Sequence, residues 1–159
     1  MPDIAVLDTI DRHILAVLQE DATLSVQAVS ERVGLSANPC WRRIKRLEAE
    51  GVIARRAAIL DPARVGLALT AFVSIRTANH SAEWLEGFDR AVKAVPEIVE
   101  CHRMSGVTDY LLKVMVRDIA HYDRVYKRLV SLVPDLADVS SAFSMERMKE
   151  GTTLDLRTA

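Results

Sequence analysis

Residues 25–51 constrain the fold of this chain more than any other stretch, because they predict two short helices joined by a tight turn. The segment reads SVQAVSERVGLSANPCWRRIKRLEAEG. Ser25 and Ser36 are favourable N-cap residues for the two helices. Gly34 and Gly51 suit their C-terminal ends, where the backbone turns left-handed. The pattern therefore predicts a helix-turn-helix unit.

The second predicted helix separates its side chains by face, at about 100° per residue. Cys40, Ile44 and Leu47 form an apolar side that should pack on the first helix. The opposite side carries an amide and three cations: Asn38, Arg42, Lys45 and Arg46. Such a face is often only solvated. In the second helix of a helix-turn-helix, we expect it to lie in the major groove of DNA.

The cations of this region divide into two expected roles. Net charge is only −1, but residues 42–56 hold six arginines and lysines against two glutamates. Base edges should be contacted by Asn38, Arg42 and Lys45, which lie on the outward face. Phosphate contacts are expected from flanking cations, with the cap residue completing the predicted DNA-binding set: Arg43, Arg46, Arg55, Arg56 and Ser36.

A change of pattern divides the chain into two predicted domains. Arg55 and Arg56 lie between the apolar pair at 52–53 and four apolar residues at 57–60, which predicts a small two-stranded wing beside the second helix. A proline-containing linker at 61–66 then separates a DNA-binding domain at 1–60 from a second domain at 67–159. An amphipathic helix at 8–20 should pack on the helix-turn-helix.

The second half predicts the element order strand, helix, strand, strand, helix, strand. The strands are expected at 67–76, 98–104, 110–116 and 136–145, and the first helix at 81–95. Asp118 should cap the second helix and Pro134 should end it. This order predicts a ferredoxin-like βαββαβ sheet with both helices on one face. The predicted fold class is therefore α/β, of the α+β type: a winged helix-turn-helix followed by a ferredoxin-like domain.

Catalysis, metal binding and membrane insertion are not indicated. The four histidines lack metal-ligand spacing with each other or with either cysteine. Cys101 and His102 are adjacent in a predicted strand and so point to opposite faces. We expect no enzyme activity, no cofactor and no metal. Two unpaired cysteines, no long apolar run and no secretory signal favour a cytoplasmic protein with no membrane partner.

The motifs resemble those of the Lrp/AsnC, or feast/famine, family of bacterial transcription regulators. The resemblance spans nearly the whole chain, including LDTIDRHILAVLQEDA, SERVGLSANPCWRRIKRLEAEGVI and SGVTDYLLKVMVRDIAHYDRVYKRLV. PCWRRIKRLE, LTAFVSIRTANHSAEW and DVSSAFSMERMK resemble more closely the branch that controls cysteine detoxification in enteric bacteria.

The resemblance implies an effector site and an assembly. In this family the sheet domains form dimers, which assemble further into octamers or similar particles, and amino-acid effectors bind between dimers. The family's Gly-Asp-x-Asp-Tyr turn reads GVTDY here, with Val107 in place of the first aspartate. The implied effector-binding residues are Ser105, Gly106, Thr108, Asp109, Tyr110, Ser140 and Ser141. The alternative at this turn is that Gly106 only permits a hairpin.

Two functions remain open at this stage. The first is a sequence-specific transcriptional regulator of amino-acid metabolism, with duplex DNA and a small amino acid, cysteine first, as partners. The alternative is an effector-independent, architectural DNA-binding protein of the nucleoid type.

We also expect a homodimer whose core includes Phe72 and Leu112.

Overall fold

The computed structural model describes residues 5–149 and 151–157. The chain divides into two compact units. One comprises the described residues up to Ala58 together with those from Lys149 onward, and the other is Ile59–Met148. The division falls between Ala58 and Ile59, whereas the sequence predicts a linker at 61–66. The prediction that residues 67–159 form one domain differs from this division, because the C-terminal segment returns to the first unit.

The return of the C-terminal segment has a clear physical cause. The Gln19 side-chain amide donates to the Leu154 carbonyl oxygen at 3.2 Å and accepts from the Leu154 backbone N–H at 2.7 Å. Leu156 packs against the apolar core of the same unit. A glutamine side chain that both donates to and accepts from one backbone residue forms a pair of hydrogen bonds like that of a β-ladder. No local sequence pattern predicts this contact.

The first unit contains the predicted helix-turn-helix. Its helices are α1 (Thr9–Glu20), α2 (Val26–Arg32) and α3 (Ala37–Ala49). Ser25 caps α2 by accepting from the Ala28 N–H at 3.2 Å, whereas Ser36 occupies the N-cap of α3 without a side-chain capping bond. Gly34 and Gly51 adopt φ of 70° and 73°. The packed side chains of the three helices form one buried core: Ile14, Leu15, Val29, Cys40, Ile44 and Leu47.

The predicted two-stranded wing is not formed. Residues 51–60 contain no strand, and residues 54–60 are all exposed. Val52 and Ile53 instead pack against the helical core, and the Ile53 N–H donates to the Leu47 carbonyl oxygen at 3.0 Å. Because the core takes up the residues of the first predicted strand, the second has no partner for a ladder.

The second unit has the predicted βαββαβ order. Its strands and helices are β1 (Leu69–Thr77), α4 (Ala82–Lys93), β2 (Ile98–Arg103), β3 (Tyr110–Val116), α5 (Ile119–Leu132) and β4 (Leu136–Phe143). The strand order in the sheet is β2-β3-β1-β4, and all neighbouring strands are antiparallel. Ser81 and Asp118 cap α4 and α5, as predicted.

The sheet has one face covered by helices and one open face. Alternate residues of β1 and β3 pack with Trp84 and Phe88 of α4 and with α5 in a single core. The open face carries the intervening residues of these strands: Thr70, Phe72, Ser74, Leu111, Lys113 and Met115. Leu112 is 0% exposed and Phe72 is 40% exposed. The prediction that Leu112 lies in a dimer core is wrong, because the period of two turns it toward the helices.

Candidate DNA-binding and effector-binding sites

The outward face of α3 lies opposite its buried side. Cys40, Ile44 and Leu47 are at most 3% exposed, so they fix which side of the helix meets solvent. Asn38, Arg42, Lys45 and Arg46 are exposed, as predicted, and Arg43 lies on the flank at intermediate exposure. Caps at the ends of α2 and the turn at Gly34 orient this face relative to the rest of the unit. The structure thus presents an amide and several cations on one helix surface.

Two arginines of α3 are held by acids of α1. Arg43 Nη1 lies 2.8 Å from Asp11 Oδ1 and 2.7 Å from Asp8 Oδ2, and Arg46 Nη2 lies 2.5 Å from Asp11 Oδ2. Asp8 also caps α1 by accepting from the Asp11 backbone N–H at 2.8 Å. That bond, followed by the one from Arg43, lowers the pKa of Asp8. The sequence pattern did not indicate a functional part for either aspartate.

Glu48 pairs with two further cations. Lys45 Nζ donates to Glu48 Oε2 at 2.7 Å, and Arg56 Nη2 donates to Glu48 Oε1 at 3.2 Å. The bond from Lys45 is the main reason that the pKa of Glu48 is lowered. Among the predicted DNA-contacting cations, Arg42 and Arg55 therefore have no ion pair within the described residues. Counting the arginines and lysines of residues 42–56 therefore overstates how many of them lack an acidic partner.

The predicted effector turn is the hairpin between β2 and β3. Gly106 adopts φ of 111°, in the region that favours glycine. Ser105, Gly106 and Val107 are exposed, and Thr108 is half-buried. The Met104 N–H donates to the Asp109 carbonyl oxygen at 2.8 Å and closes the turn.

Asp109 joins this turn to the end of β1. Its Oδ2 accepts from the Thr77 backbone N–H at 2.9 Å, and its own N–H donates to the Ile75 carbonyl oxygen at 3.0 Å. Thr77 is only 7% exposed, so this N–H lacks ready access to water. Oδ1 of Asp109 makes no hydrogen bond among the described residues. One oxygen of this carboxylate is therefore used to hold the turn against β1.

Tyr110 has its ring in the core of the second unit. The ring centroid lies 4.4 Å from that of Phe88 and 6.0 Å from that of Trp84, and the residue is 5% exposed. Burial raises the pKa of Tyr110. The ring is therefore enclosed by α4 and is not presented to solvent beside the turn, as a direct ligand contact would require.

The two predicted serines of β4 lie on opposite faces of the sheet. Ser141 pairs in register with Val73 and its hydroxyl hydrogen-bonds to the Tyr122 hydroxyl, on the helix-covered face. Ser140 pairs in register with Ser74, on the open face. Consecutive strand residues alternate, so the two hydroxyls cannot serve one face together. Ser140 lies on the β4 side of β1, whereas Asp109 bonds to Ile75 and Thr77 from the β3 side.

Comparison with known proteins identifies both units. Residues 7–54 match the family model described as winged helix-turn-helix DNA-binding, and residues 70–154 match the Lrp/AsnC ligand-binding domain. The chain belongs to the Lrp/AsnC family. It is a transcriptional regulator of this type and not an enzyme. The prediction from sequence resemblance is thereby confirmed at the level of the family.

Individual Lrp/AsnC relatives cover almost the whole chain. The DNA-binding transcriptional activator DecR of Escherichia coli (strain K12) is 51% identical over 150 residues, 94% of this chain and 99% of that protein. The glutamate uptake regulatory protein of Zymomonas mobilis is 53% identical over 150 residues, 94% of this chain and 91% of that protein. The structure of the Neisseria meningitidis regulator NMB0573 with L-Met has a TM-score of 0.90 at 35% identity, and covers 96% and 99% of the two chains.

Within this Lrp/AsnC regulator, the site residues missed by sequence reasoning act at long range. Asp11 accepts hydrogen bonds from Arg43 and Arg46, which follow it in the sequence by 32 and 35 positions. The Thr77 N–H donates to Asp109, which follows it by 32 positions. The sequence carries no signal for the burial of Asp11, because an acid in the first turn of a helix is ordinary. Among the described residues, no helix is long and apolar enough to cross a membrane, and no cluster of metal-ligating side chains occurs.

Proposed function

We propose that this chain binds specific duplex DNA sequences through α3 and that a small amino acid adjusts this binding. The observation that carries the proposal is the outward face of α3, where Asn38 and Arg42 lie exposed on a helix whose opposite side is buried. A helix of this kind fits the major groove, where arginine recognises guanine and asparagine recognises adenine by paired hydrogen bonds. A cytoplasmic location follows for a regulator that acts on bacterial DNA.

The proposed DNA contacts follow the exposure and pairing of each residue. Asn38, Arg42 and Lys45 face base edges, and Lys45 reaches them by exchanging its exposed bond to Glu48 for one to DNA. Ser36, Arg55 and Arg56 lie at the phosphate backbone, in the segments that flank α3. The exposed residues 54–60 take the place of a paired wing in this arrangement.

The proposed effector site is built around the β2–β3 turn. Backbone N–H groups at residues 105–108 and the hydroxyls of Ser105 and Thr108 receive the amino acid's carboxylate. Oδ1 of Asp109 receives its ammonium group. Gly106 allows close approach of the backbone, and Ser140 adds a hydroxyl from the open face. Tyr110 and Ser141 support this site through the packing of the turn and of β4.

Cysteine is the first effector to test, on the closer resemblance of the sequence. The relatives argue for a broad panel, because one with 53% identity regulates glutamate uptake and another structure holds L-Met. Isothermal titration with cysteine, methionine, glutamate and leucine addresses this directly. Saturable binding of one of them that Asp109→Asn weakens supports the site. Binding unchanged by Asp109→Asn places the effector elsewhere.

The proposed assembly uses the open face of the sheet. Phe72, Leu111 and Met115 expose apolar surface there, and burial of such surface drives association. We propose a homodimer through this face that assembles into an octamer or a similar particle, with an operator of two related half-sites. We also propose two domains, with limits near 1–60 and 67–148, that are joined by a linker at 61–66.

Selection of duplexes from a random pool tests the function. A sequence-specific regulator enriches a pseudo-palindromic consensus, and Asn38→Ala relaxes the consensus at one position of each half-site. The architectural alternative binds all duplexes alike and yields no consensus. A wild-type protein that enriches nothing therefore contradicts the proposal.

A further inference from the structure

Asp11 is a buried acid aimed at the DNA-binding helix. Its side chain is 1% exposed, and each of its oxygens accepts from a different arginine of α3, Arg43 at 2.8 Å and Arg46 at 2.5 Å. Asp8 adds a second carboxylate on Arg43 at 2.7 Å. Two aspartates of α1 thus balance two arginines of α3, one acid for each cation.

This arrangement competes with DNA for the same groups. A guanidinium binds a carboxylate and a phosphate through the same planar array of N–H donors. Arginine contributes to the salt dependence of DNA binding when its positive charge displaces cations condensed on the duplex. Withdrawing either arginine would leave one oxygen of the buried Asp11 carboxylate without its partner, and withdrawing both would leave the buried charge uncompensated, which is strongly unfavourable.

A second acid, Glu48, lies on α3 itself and is more accessible to solvent than Asp11. Glu48 holds Lys45 and Arg56, but its side chain is 29% exposed, and those of Lys45 and Arg56 are 57% and 43% exposed. Water can replace either partner there, so these cations are released at little cost. The buried acid and the exposed acid therefore divide the cations of this surface into a held pair and an exchangeable pair.

We infer that Asp11 acts as an internal substitute for DNA phosphate, which holds Arg43 and Arg46 as positioning residues of α3 and removes them from the set of phosphate contacts. The inference rests on the proposed DNA binding and revises the role expected of these two arginines from sequence. Their remaining N–H groups stay exposed, but their charge is already balanced inside the protein. Non-specific attraction to DNA is thereby lowered, while the base-reading face of α3 keeps its orientation.

Salt dependence separates a held arginine from a phosphate-binding one. The dissociation constant for one mixed-sequence duplex of about 25 base pairs is measured by fluorescence anisotropy across a potassium chloride series. Each cation that neutralises a phosphate contributes about 0.9 to the slope of log K against log salt. Arg55→Gln, the matched control without an ion pair, should lower the slope by about that amount. Arg43→Gln and Arg46→Gln should each change it by less than about a third of that amount.

Asp11→Asn supplies the converse test. Freed arginines would become available to phosphate, so the slope should steepen by up to about 0.9 for each one released. Adding Arg46→Gln to Asp11→Asn should then lower the slope by about 0.9, although Arg46→Gln alone does not. Thermal melting by circular dichroism verifies that each variant is folded at the assay temperature.

The outcomes are distinguishable. If Arg43→Gln or Arg46→Gln flattens the slope as much as Arg55→Gln does, the inference is overturned while DNA binding stands. If the wild type shows no salt-dependent binding, the proposed function itself fails. Should Asp11→Asn be unfolded, the single arginine variants decide the question, because each leaves Asp11 with one guanidinium.

Discussion

At the scale of single residues, the carboxylate of Asp109 ties the β2–β3 turn to the end of β1. The family resemblance placed it in an effector site, whereas the residue pattern alone allowed a simple hairpin. Its Oδ2 accepts from the buried Thr77 N–H. The proposed ligand role of Oδ1 and this structural role of Oδ2 are compatible in one carboxylate.

Asp109→Ala should therefore destabilise the protein as well as weaken effector binding. Removing the carboxylate leaves the Thr77 N–H without its acceptor, which costs about 1–3 kcal/mol. Urea denaturation checks this loss, with Ser140→Ala as a control of about 0.5 kcal/mol or less on an exposed position. Equal midpoints for Asp109→Ala and the wild type would show that the bond to Thr77 is unimportant.

Residues whose partners are close in sequence were predictable, and those with distant partners were not. Ser25, Ser81 and Asp118 cap their helices as expected, because a cap contacts an N–H only three positions away. The enclosure of the Tyr110 ring by α4 depends on packing between elements. Its place beside Asp109 in a recognised motif suggested a ligand contact that the fold does not present.

At the scale of elements, α1 is joined to α3 by charge as well as by apolar packing. Asp8 has a pKa below its ordinary value in the folded protein, from the Asp11 N–H and from Arg43. Between the folded and unfolded pKa values the unfolded chain binds more protons, so acid favours unfolding. This contribution is present above the unfolded value near 3.8 and is lost as the pH falls through the folded value.

Thermal unfolding between about pH 5 and pH 2.5 measures this contribution. The melting temperature of the wild type should fall more steeply with acid than that of Asp8→Asn, because asparagine keeps a helix cap but has no titrating charge. Asp8→Asn is thus a control for the cap itself. Parallel curves for the two proteins would show that the charge of Asp8 contributes nothing to the pairing of α1 with α3.

The order and type of the elements were predictable, and one pairing was not. Periodicity and caps located every helix and strand of the second unit within a few residues. The wing failed because strand formation requires a partner, and Val52 and Ile53 pack on the helical core. An apolar pair next to charged residues is equally consistent with a strand and with a core contact.

At the scale of the whole molecule, the two faces of the sheet predict different consequences of substitution. Leu112→Ala removes a fully buried side chain and should cost about 2–5 kcal/mol at any protein concentration. Phe72→Ala, on the open face, should instead weaken self-association and so reduce the dependence of the unfolding midpoint on protein concentration that a dimer shows. Urea denaturation and light scattering over a concentration series distinguish them. A Phe72→Ala protein that associates as tightly as the wild type would exclude this face as the dimer interface.

The first boundary between the two units has a local signal in the sequence, and the second has none. Pro62 and the change in periodicity marked the first boundary. The return of Leu154 and Leu156 to the first unit depends on Gln19 and on a core assembled from three helices. No local signal in a polar C-terminal segment carries that information.

The central claim, that α3 reads base sequence, is tested most directly by comparing two duplexes in one titration series. Wild type and Arg42→Ala are titrated by fluorescence anisotropy against the duplex enriched from a random pool and against its scrambled version. Loss of a base contact should cost Arg42→Ala about 1–3 kcal/mol on the enriched duplex and clearly less on the scrambled one. Equal losses on both duplexes would contradict the account, because they would make Arg42 a phosphate contact and leave the helix without its principal base reader.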